Sequence, residues 1–438
     1  MNVAKDAMGL GLRVLNRFAG LSAVDKLGLR KPATSAIYGA ARAGFATVGA
    51  ASRVFKSTQK LMQPARLSIR SGDGLFDLTP SEEQEMLRDA CRSFADEQLR
   101  PSALDADGAC AAKPELLAAA NELGIHLLGV PESLGGAGQE RSAMTNVLVT
   151  EALAHGDLSL ALACLAPAAV SNALVMWGDS EQQARYLPAF VGEHAPAAAL
   201  AIQEPTALFD PFKLATQARR TPDGFVLDGV KSLVPRAAQA ELFIIAAHLE
   251  GRGPALFIVE SSGKGLSIQS EPAMGLRAAA TGRVVLDDVA VPPGALLGDA
   301  SSETYASCIT LARLGWCALS LGAAQAALDY LVPYVNERVA FGEPISHRQA
   351  VAFTVANMAI ELEGMRLLTY RAASRAEQEK SFIEETALAR RLCADKGMQI
   401  GSDVVQLLGG HGFVKEHPAE RWYRDLRAVG FMEGVLLV

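Results

Sequence analysis

The sequence predicts a mainly α-helical protein that carries one β domain between two helical regions. Three observations lead to this fold class. Apolar residues recur every three to four positions up to about residue 196, short runs bounded by glycine and proline follow, and helical periodicity returns from about residue 301. With 438 residues, of which 50% are hydrophobic and 20% charged, we expect roughly two to four domains with ample buried core.

A basic extension occupies residues 1–76. Its first 70 residues hold twelve lysines and arginines against two acids, a balance of +10, which leaves −17 for the rest of a chain whose net charge is −7. Apolar residues are interleaved, as in GLGLRVLNRFAGL at 9–21, which favours a peripheral contact with an anionic membrane surface. A helical extension packed on its own protein or on a neighbouring subunit is the equal alternative, and an arginine-rich, acid-poor start also fits a transit peptide. Few aromatic residues and no binding motif weigh against nucleic acid.

A helical region follows at residues 77–196. It begins with Thr79-Pro80-Ser81 and two glutamates, a capping residue, a proline and acids in the order typical of a helix N-terminus. Residues 158–177 carry no charge over a length that could cross a membrane. Because Pro167 and two polar residues interrupt this stretch and no basic anchors flank it, we expect a buried helix pair instead.

The predicted β domain spans residues 197–300. Pro-Asp-Gly and Asp-Gly turns separate short alternating runs in RTPDGFVLDGVKSLV at 220–234. Four more runs follow with glycine or proline between them, namely ELFIIAAHL, ALFIVE, LSIQS and GRVVLDDVAV.

The second helical region spans residues 301–438. Three long amphipathic runs, at 311–341, 348–378 and 381–410, are joined by short links and predict an antiparallel bundle. Six scattered cysteines without a CxxC pair indicate a reducing compartment and no zinc site. Neither a Rossmann nor a P-loop glycine motif is present. The chain ends on FMEGVLLV, in which Glu433 stands alone among apolar residues.

Four motifs, in chain order, resemble the acyl-CoA dehydrogenase family. They are GDSEQQARYLPAFVGEHAPAAALAIQEP at 178–205, AMGLRAAATGRVVLDDVAVPPGALLG at 273–298, NERVAFGEPISHRQAVAFTVANM at 336–358 and QLLGGHGFVKEHPAERWYRDLR at 406–427. The likeness covers about residues 77–438. It implies an α-helical N-terminal domain, a middle β-barrel and a C-terminal four-helix bundle. It also implies FAD, bound between barrel and bundle, and oxidation of an acyl-CoA thioester to the trans-2-enoyl-CoA.

The resemblance also implies partners and a location. Members usually form tetramers and pass electrons to electron transfer flavoprotein, so we expect a homo-oligomer, or a hetero-oligomer with a related chain. We expect a cytoplasmic protein, which is peripheral at the inner face of the membrane if the extension docks there. In a eukaryote we expect a mitochondrial matrix protein.

Glu433 stands where the family's common catalytic base stands, in Glu433-Gly434-Val435 after RDLR. Apolar surroundings disfavour the charged form of a carboxylate and raise its basicity. Some family members carry the base on a bundle helix instead, and that position is Ala312 here, followed by Arg313, which the resemblance places near the acyl-CoA thioester. The alternative interpretation of Glu433 is a solvated terminal acid.

Arg338 resembles the arginine that reaches the FAD pyrophosphate of a neighbouring subunit. A planar guanidinium suits this role, because it can form two hydrogen bonds to a phosphate. The alternative interpretation of Arg338 is an ion pair at the end of a helix. The adjacent glycines Gly409 and Gly410 let backbone amides approach a cofactor closely. The alternative interpretation is that they cap a helix. The remaining cofactor contacts implied by the resemblance are Phe341, Gln349, Gln406, Gly409, Gly410 and Gln203.

The middle domain departs from the family pattern at several flavin contacts. Gln203 replaces a threonine, Phe209 a serine, Leu233 a tryptophan and Pro235 a threonine, and Val435 replaces the threonine that follows Glu-Gly. These losses leave a second hypothesis open, a non-catalytic or half-catalytic subunit of a heteromeric acyl-CoA dehydrogenase. A third is a membrane-docked scaffold that uses the basic extension.

Overall fold

A computed structural model describes residues 78–136, 141–192 and 195–436. Helices come first, one sheet follows, and helices end the chain, which confirms the predicted fold class. The predicted basic extension, with its membrane, packing and transit-peptide interpretations, lies outside the described residues.

The described residues of the first helical region form six α-helices. Helix α1 begins with a capping box in which Ser81 and Gln84 exchange side-chain and backbone hydrogen bonds. It continues through a π-helical segment at Ala95–Leu99 into the next helix. The helices are α1 (Glu82–Phe94), α2 (Arg100–Ala109), α3 (Pro114–Glu122), α4 (Ala143–Gly156), α5 (Leu158–Trp177) and α6 (Ser180–Val191).

The middle region is a single eight-stranded sheet, mostly antiparallel, with the order β6-β7-β3-β2-β4-β5-β8 and with β1 paired in parallel to β4. The β3–β7 pairing is irregular between Lys231 and Val234, and a bulge of this kind re-aims side chains at the end of a strand. The strands are β1 (Ala198–Ala201), β2 (Gln217–Thr221), β3 (Gly224–Val234), β4 (Leu242–Leu249), β5 (Gly253–Glu260), β6 (Leu266–Ser270), β7 (Gly282–Val291) and β8 (Leu296–Leu297).

The last region contains three long helices and one short one. They are α7 (Ser302–Glu337), α8 (Gln349–Glu377), α9 (Ile383–Leu408) and α10 (Ala419–Asp425), with a small hairpin, β9 (Val339–Ala340) and β10 (Glu343–Pro344), between α7 and α8. Helix α7 packs against α8 and α9 and also against α4 of the first region. A 3₁₀ turn at Leu426–Gly430 packs on α9 and α7 and carries the terminal segment back toward the sheet.

Helix α5 corrects one prediction, because residues 158–177 form one continuous helix and not a helix pair. Pro167 lies inside it, where proline removes one hydrogen bond and crowds the preceding turn. Buried residues on both sides of Pro167 hold the helix together, since its two halves pack into two different cores. Two described helices, α5 and α7, are long and apolar enough to cross a membrane, but 72% and 67% of their most apolar windows are buried inside the protein.

Candidate active site

A cavity of about 230 Å³ lies where the helices meet the sheet and the C-terminal segment. Its walls come from α4, α5 and α7, from the ends of β1 and β3, and from Met432 and Glu433. Most lining side chains are apolar. Four buried polar atoms in this lining have no hydrogen-bond partner among the described residues: Arg141 Nε, Asn146 Oδ1, Asn172 Oδ1 and Glu433 Oε2.

Glu433 is a buried carboxylate, only 8% exposed, in the wall of this cavity. Trp316 Nε1 donates a hydrogen bond of 3.4 Å to its Oε1, which leaves Oε2 open. Burial raises the pKa of Glu433, while the Trp316 hydrogen bond and the charges of Arg390, Arg313 and Lys231 act in the opposite direction. The outcome is a carboxyl group that is more basic than a solvated glutamate.

Two arginines hold the backbone around Glu433. Arg313 Nε donates to the Glu433 carbonyl at 3.0 Å, and Arg390 Nη2 donates to the carbonyls of Met432, at 2.9 Å, and Gly434. Glu433 itself has a φ of +57°, a left-handed conformation that costs a non-glycine residue roughly 1–3 kcal/mol. Guanidinium groups therefore fix three successive carbonyls around the left-handed backbone of Glu433.

Arg313 was predicted to lie near the acyl-CoA thioester. Its Nε is directed at the backbone of Glu433, and Arg313 does not belong to the described lining of the cavity. Ala312, its neighbour in the predicted alternative base position, does line the cavity together with Glu433. The two positions at which the resemblance places a base thus open into one space, and only one of them holds a carboxylate.

A buried ion pair lies under the cavity. Lys231, at the bulged end of β3, has no exposed surface and donates to Glu204 Oε1 at 2.8 Å and to the Ile202 carbonyl at 3.1 Å. Burial lowers the pKa of Lys231 to about 8, against the opposing effect of Glu204. The Glu204 carboxylate also accepts hydrogen bonds from the amides of Ala215 and Thr216, so both partners are fixed.

The residues that depart from the family pattern support the site from several sides. Gln203 is buried in the cavity wall and accepts a hydrogen bond of 3.4 Å from the Gly434 amide. Phe209 is buried, and its carbonyl accepts from the Val435 amide at 3.1 Å. Leu233 adopts a φ of +51° and donates its amide to Glu271. Gln203 and Phe209 therefore tie the C-terminal segment to the sheet region.

A second pocket, of about 330 Å³, brings four of the predicted cofactor residues together: Arg338, Gln406, Gly409 and Gly410. All four are exposed, and a Cβ added at either glycine would meet no atom within 4 Å. Tyr334 and His411 complete the polar part of the lining, joined by a hydrogen bond of 2.9 Å.

The other predicted cofactor residues lie elsewhere. Phe341 is 96% exposed with a φ of +56°, and Gln349 is exposed at the start of α8; neither belongs to the described lining of the second pocket. Gln203 belongs to the Glu433 cavity. Five of the seven residues thus divide between two pockets that share no described lining residue, and Phe341 and Gln349 belong to the described lining of neither.

The sequence analysis predicted no role for Trp316, Arg390, Lys231 or Arg141. The position of Trp316 near the site could have been predicted, because it lies four residues after Ala312 and hence on the same face of a helix. Arg390 and Lys231 reach the site from α9 and β3, far away from Glu433 in sequence, and no local signal indicates that either lies near Glu433.

Comparisons with known proteins agree with this arrangement. Three family models match: the acyl-CoA dehydrogenase N-terminal domain at 81–193, the middle domain at 199–289 and the C-terminal domain at 303–436. The bovine (Bos taurus) short-chain specific acyl-CoA dehydrogenase, mitochondrial, is 34% identical over 365 residues, covering 81% of this chain and 87% of the relative. The Clostridium sporogenes 3-(aryl)acrylate reductase is 30% identical, covering 81% and 95%.

Solved structures show the same relationship. Butyryl-CoA dehydrogenase from Megasphaera elsdenii matches with a TM-score of 0.77 and 28% identity, covering 82% of this chain and 97% of the other. The chain therefore belongs to the acyl-CoA dehydrogenase family and is an FAD-dependent enzyme that oxidises acyl-CoA, as its motifs predicted.

Proposed function

We propose that this enzyme oxidises a short acyl-CoA thioester to the trans-2-enoyl-CoA, with Glu433 removing the α-proton. The observation that carries the proposal is the Glu433 carboxylate itself, buried in an apolar cavity with Oε2 open. The cavity volume of about 230 Å³ lies below the ~300–1,000 Å³ usual for pockets that hold drug-sized ligands. A short acyl group fits such a space.

The chain's own residues prepare the proton transfer. Trp316 holds Oε1, so the α-proton goes to Oε2, which has no partner in the described part of the chain. Burial raises the pKa of Glu433 and so makes its carboxylate a stronger base. Arg313 and Arg390 keep the strained backbone in place, because a base acts only within hydrogen-bond reach of the proton that it removes.

The residues present fit FAD. The second pocket offers a solvent-exposed guanidinium at Arg338 and open backbone at Gly409 and Gly410, the groups that bind pyrophosphate. Gln203 retains an amide that can donate a hydrogen bond in the Glu433 cavity. FAD, when bound, supplies the acceptor for the hydride that leaves the β-carbon.

The division of the cofactor residues between two places supports an oligomer. The resemblance implies that Arg338 reaches the FAD of a neighbouring subunit, and Arg338, Gln406, Gly409 and Gly410 are exposed as such a role requires. We infer a homo-oligomer in which each FAD is held by two copies. Electron transfer flavoprotein is the proposed electron acceptor.

Glu433→Gln tests the base. The variant keeps the shape of the side chain and the hydrogen bond from Trp316, so we expect it to bind FAD and stay yellow. Because an amide cannot accept the α-proton, reduction of the flavin by acyl-CoA should slow by about 10²–10⁴-fold. Glu416→Gln, at an exposed position, is the matched control. Undiminished flavin bleaching in Glu433→Gln would eliminate Glu433 as the base.

A relocated base gives a second test. Ala312→Glu, introduced into the Glu433→Gln variant, places a carboxylate in the same cavity from helix α7. We expect part of the lost activity to return. If Ala312→Glu restores nothing while the protein binds FAD normally, the two positions do not serve the same carbon of the substrate.

The second candidate function is a non-catalytic or half-catalytic subunit of a heteromer. The observation that favours it is the replacement of family flavin contacts at Gln203, Leu233 and Pro235, all of which line the cavity. Expression of this chain without a related dehydrogenase chain distinguishes the two functions. A flavin-loaded, active homo-oligomer supports the first proposal. Flavin uptake only on co-expression with a related dehydrogenase chain supports the second.

A further inference from the structure

A cationic side chain lies in the wall of the Glu433 cavity and has no role in the proposed reaction. Arg141, two residues before helix α4, lines the cavity, and its Nε is buried without a hydrogen-bond partner. Burial lowers the pKa of Arg141. Because burying an uncompensated charge is costly, a guanidinium in an apolar wall calls for an anion.

No carboxylate in the described part of the chain forms an ion pair with Arg141. Glu377, at the end of helix α8, acts on it electrostatically, but its Oε2 is already used at the start of helix α4. That oxygen accepts hydrogen bonds from the amides of Ala143, at 2.6 Å, and Met144, at 3.2 Å. Glu377 therefore compensates the helix N-terminus and leaves the cavity side of Arg141 open.

A second polar group lies on the same wall. Asn146, in the first turns of α4, lines the cavity with its buried Oδ1 unpartnered. Rotation of the amide by half a turn presents Nδ2 in place of Oδ1, so Arg141 and Asn146 together can offer N–H donors to one oxygen-bearing group. Their neighbours Ala143 and Val147 are apolar and also line the cavity, as contact with an alkyl chain requires.

We propose that Arg141 binds a carboxylate at the end of the acyl group, so that the preferred substrates are CoA thioesters of short dicarboxylic acids. This inference rests on the proposed function, because the thioester end must reach Glu433 on the C-terminal wall of the cavity. A substrate of this kind places its α-carbon at one buried charged group and its second carboxylate at another. A simple fatty acyl group would leave the buried Nε of Arg141 without a hydrogen-bond partner.

The test compares two thioesters of the same chain length, adipyl-CoA and hexanoyl-CoA. Their dissociation constants are measured by calorimetry on the FAD-loaded Glu433→Gln variant, which binds without turnover. We expect adipyl-CoA to bind at least about tenfold more tightly, since a site built to hydrogen-bond a polar group discriminates against a ligand that lacks it. Arg141→Met should remove this preference through a loss of affinity for adipyl-CoA, while Arg141→Lys should keep part of it.

Arg252→Met, at an exposed arginine of the sheet region, is the matched control and should keep the full preference. Arg141→Gln is the second variant if Arg141→Met does not fold. Equal affinity for the two thioesters in the Glu433→Gln protein with Arg141 intact overturns the proposal. So does an equal loss of both affinities in Arg141→Met, which would assign Arg141 to the CoA portion or to the fold.

The calorimetry, together with an assay of flavin reduction in the unsubstituted protein, separates this proposal from the one for Glu433. An Arg141-dependent preference for adipyl-CoA in a protein that oxidises neither thioester contradicts the proposed reaction and supports the substrate class. Oxidation of both thioesters with no Arg141-dependent preference supports the reaction and contradicts the substrate class.

Discussion

The Glu433 cavity and the pocket around Arg338 differ in how their functional groups meet solvent. Glu433 is 8% exposed and Lys231 has no exposed surface, whereas Arg338, Gln406 and both glycines of the second pocket are exposed. The cavity is therefore completed by the folding of its own chain. The pocket presents its groups outward, as suits a site that a neighbouring copy and its cofactor complete.

This difference has an energetic consequence. Around the cavity, charged groups fix one another and the backbone, as Arg390 does at Met432 and Gly434, so a substitution there should change the stability of the fold. Around the second pocket, side chains keep their hydration in the free protein. Substitutions there should change cofactor affinity and leave the free energy of unfolding nearly unchanged.

The largest effect is expected from Lys231→Met. Removal of the cation leaves the buried Glu204 carboxylate with hydrogen bonds from the amides of Ala215 and Thr216 but without its ammonium partner. Breaking a buried ion pair in this way lowers the free energy of unfolding by about 3–5 kcal/mol. Chemical denaturation measures it. The double variant Lys231→Met/Glu204→Gln should lose less than the sum of the two single variants.

Arg219→Ala is the control for Lys231→Met. Arg219 pairs with Asp228 and Asp288 on the exposed surface of the sheet, where ion pairs contribute little. A loss of stability in Arg219→Ala that matches the loss in Lys231→Met would remove the distinction between buried and exposed charges.

The next largest effect separates two glycines. Gly434 has a φ of +98°, and a Cβ there would lie 2.5 Å from Pro211 Cδ and 3.0 Å from Arg313 Nη2. Gly434→Ala should shift the Glu433 segment and lower kcat by about 100-fold, the cost of a displacement near 1 Å. At Gly410 an added Cβ meets nothing within 4 Å, so Gly410→Ala should leave the free energy of unfolding of the apoprotein within about 0.5 kcal/mol of the parent. An unchanged kcat in Gly434→Ala, or a clear loss of stability in Gly410→Ala, would contradict this contrast.

A smaller effect is expected at Arg338. Because its guanidinium is exposed and hydrogen bonds to charged groups contribute about 1.5–3 kcal/mol, Arg338→Ala should weaken FAD binding roughly 10–100-fold without destabilising the apoprotein. Flavin fluorescence during titration of the apoprotein measures the affinity. Arg348→Ala removes a neighbouring exposed arginine that pairs with Glu343 and should retain FAD. Equal retention of FAD in both variants would remove Arg338 from the cofactor site.

The sequence was informative where function depends on residues close together in the chain. The order of helices and strands followed from periodicity, and the motif around Gln406, Gly409 and Gly410 brought out residues that share a pocket with Arg338. Ala312 and Glu433 could be predicted to lie at one site only because the resemblance identifies both as positions where family members carry the catalytic base. Their meeting in one cavity agrees with that pairing.

The support around Glu433 could not be predicted, because it depends on distant segments. Arg390 is 42 residues before Met432 and 44 before Gly434, and Trp316 and Arg313 are 117 and 120 residues from Glu433. The left-handed backbone at position 433 could not be predicted either, because the residue type, glutamate, does not indicate a positive φ. The helix pair expected at 158–177 was wrong for a related reason, since burial in two cores outweighed the local effect of Pro167.

The smallest effect concerns the pH dependence of the base. Burial raises the pKa of Glu433 above the ordinary 4.5, so kcat/KM should rise with pH along a limb displaced to higher pH than for a solvated glutamate. Trp316 donates its hydrogen bond to the charged carboxylate and thereby stabilises it. Trp316→Phe should therefore move the limb further up, by less than about one pH unit, because a hydrogen bond of about 1 kcal/mol corresponds to a fraction of one pKa unit. Trp177→Phe alters the same cavity wall without removing a donor from Glu433 and should leave the limb in place. A shift to lower pH in Trp316→Phe, or equal shifts in both variants, would mean that the limb does not report Glu433.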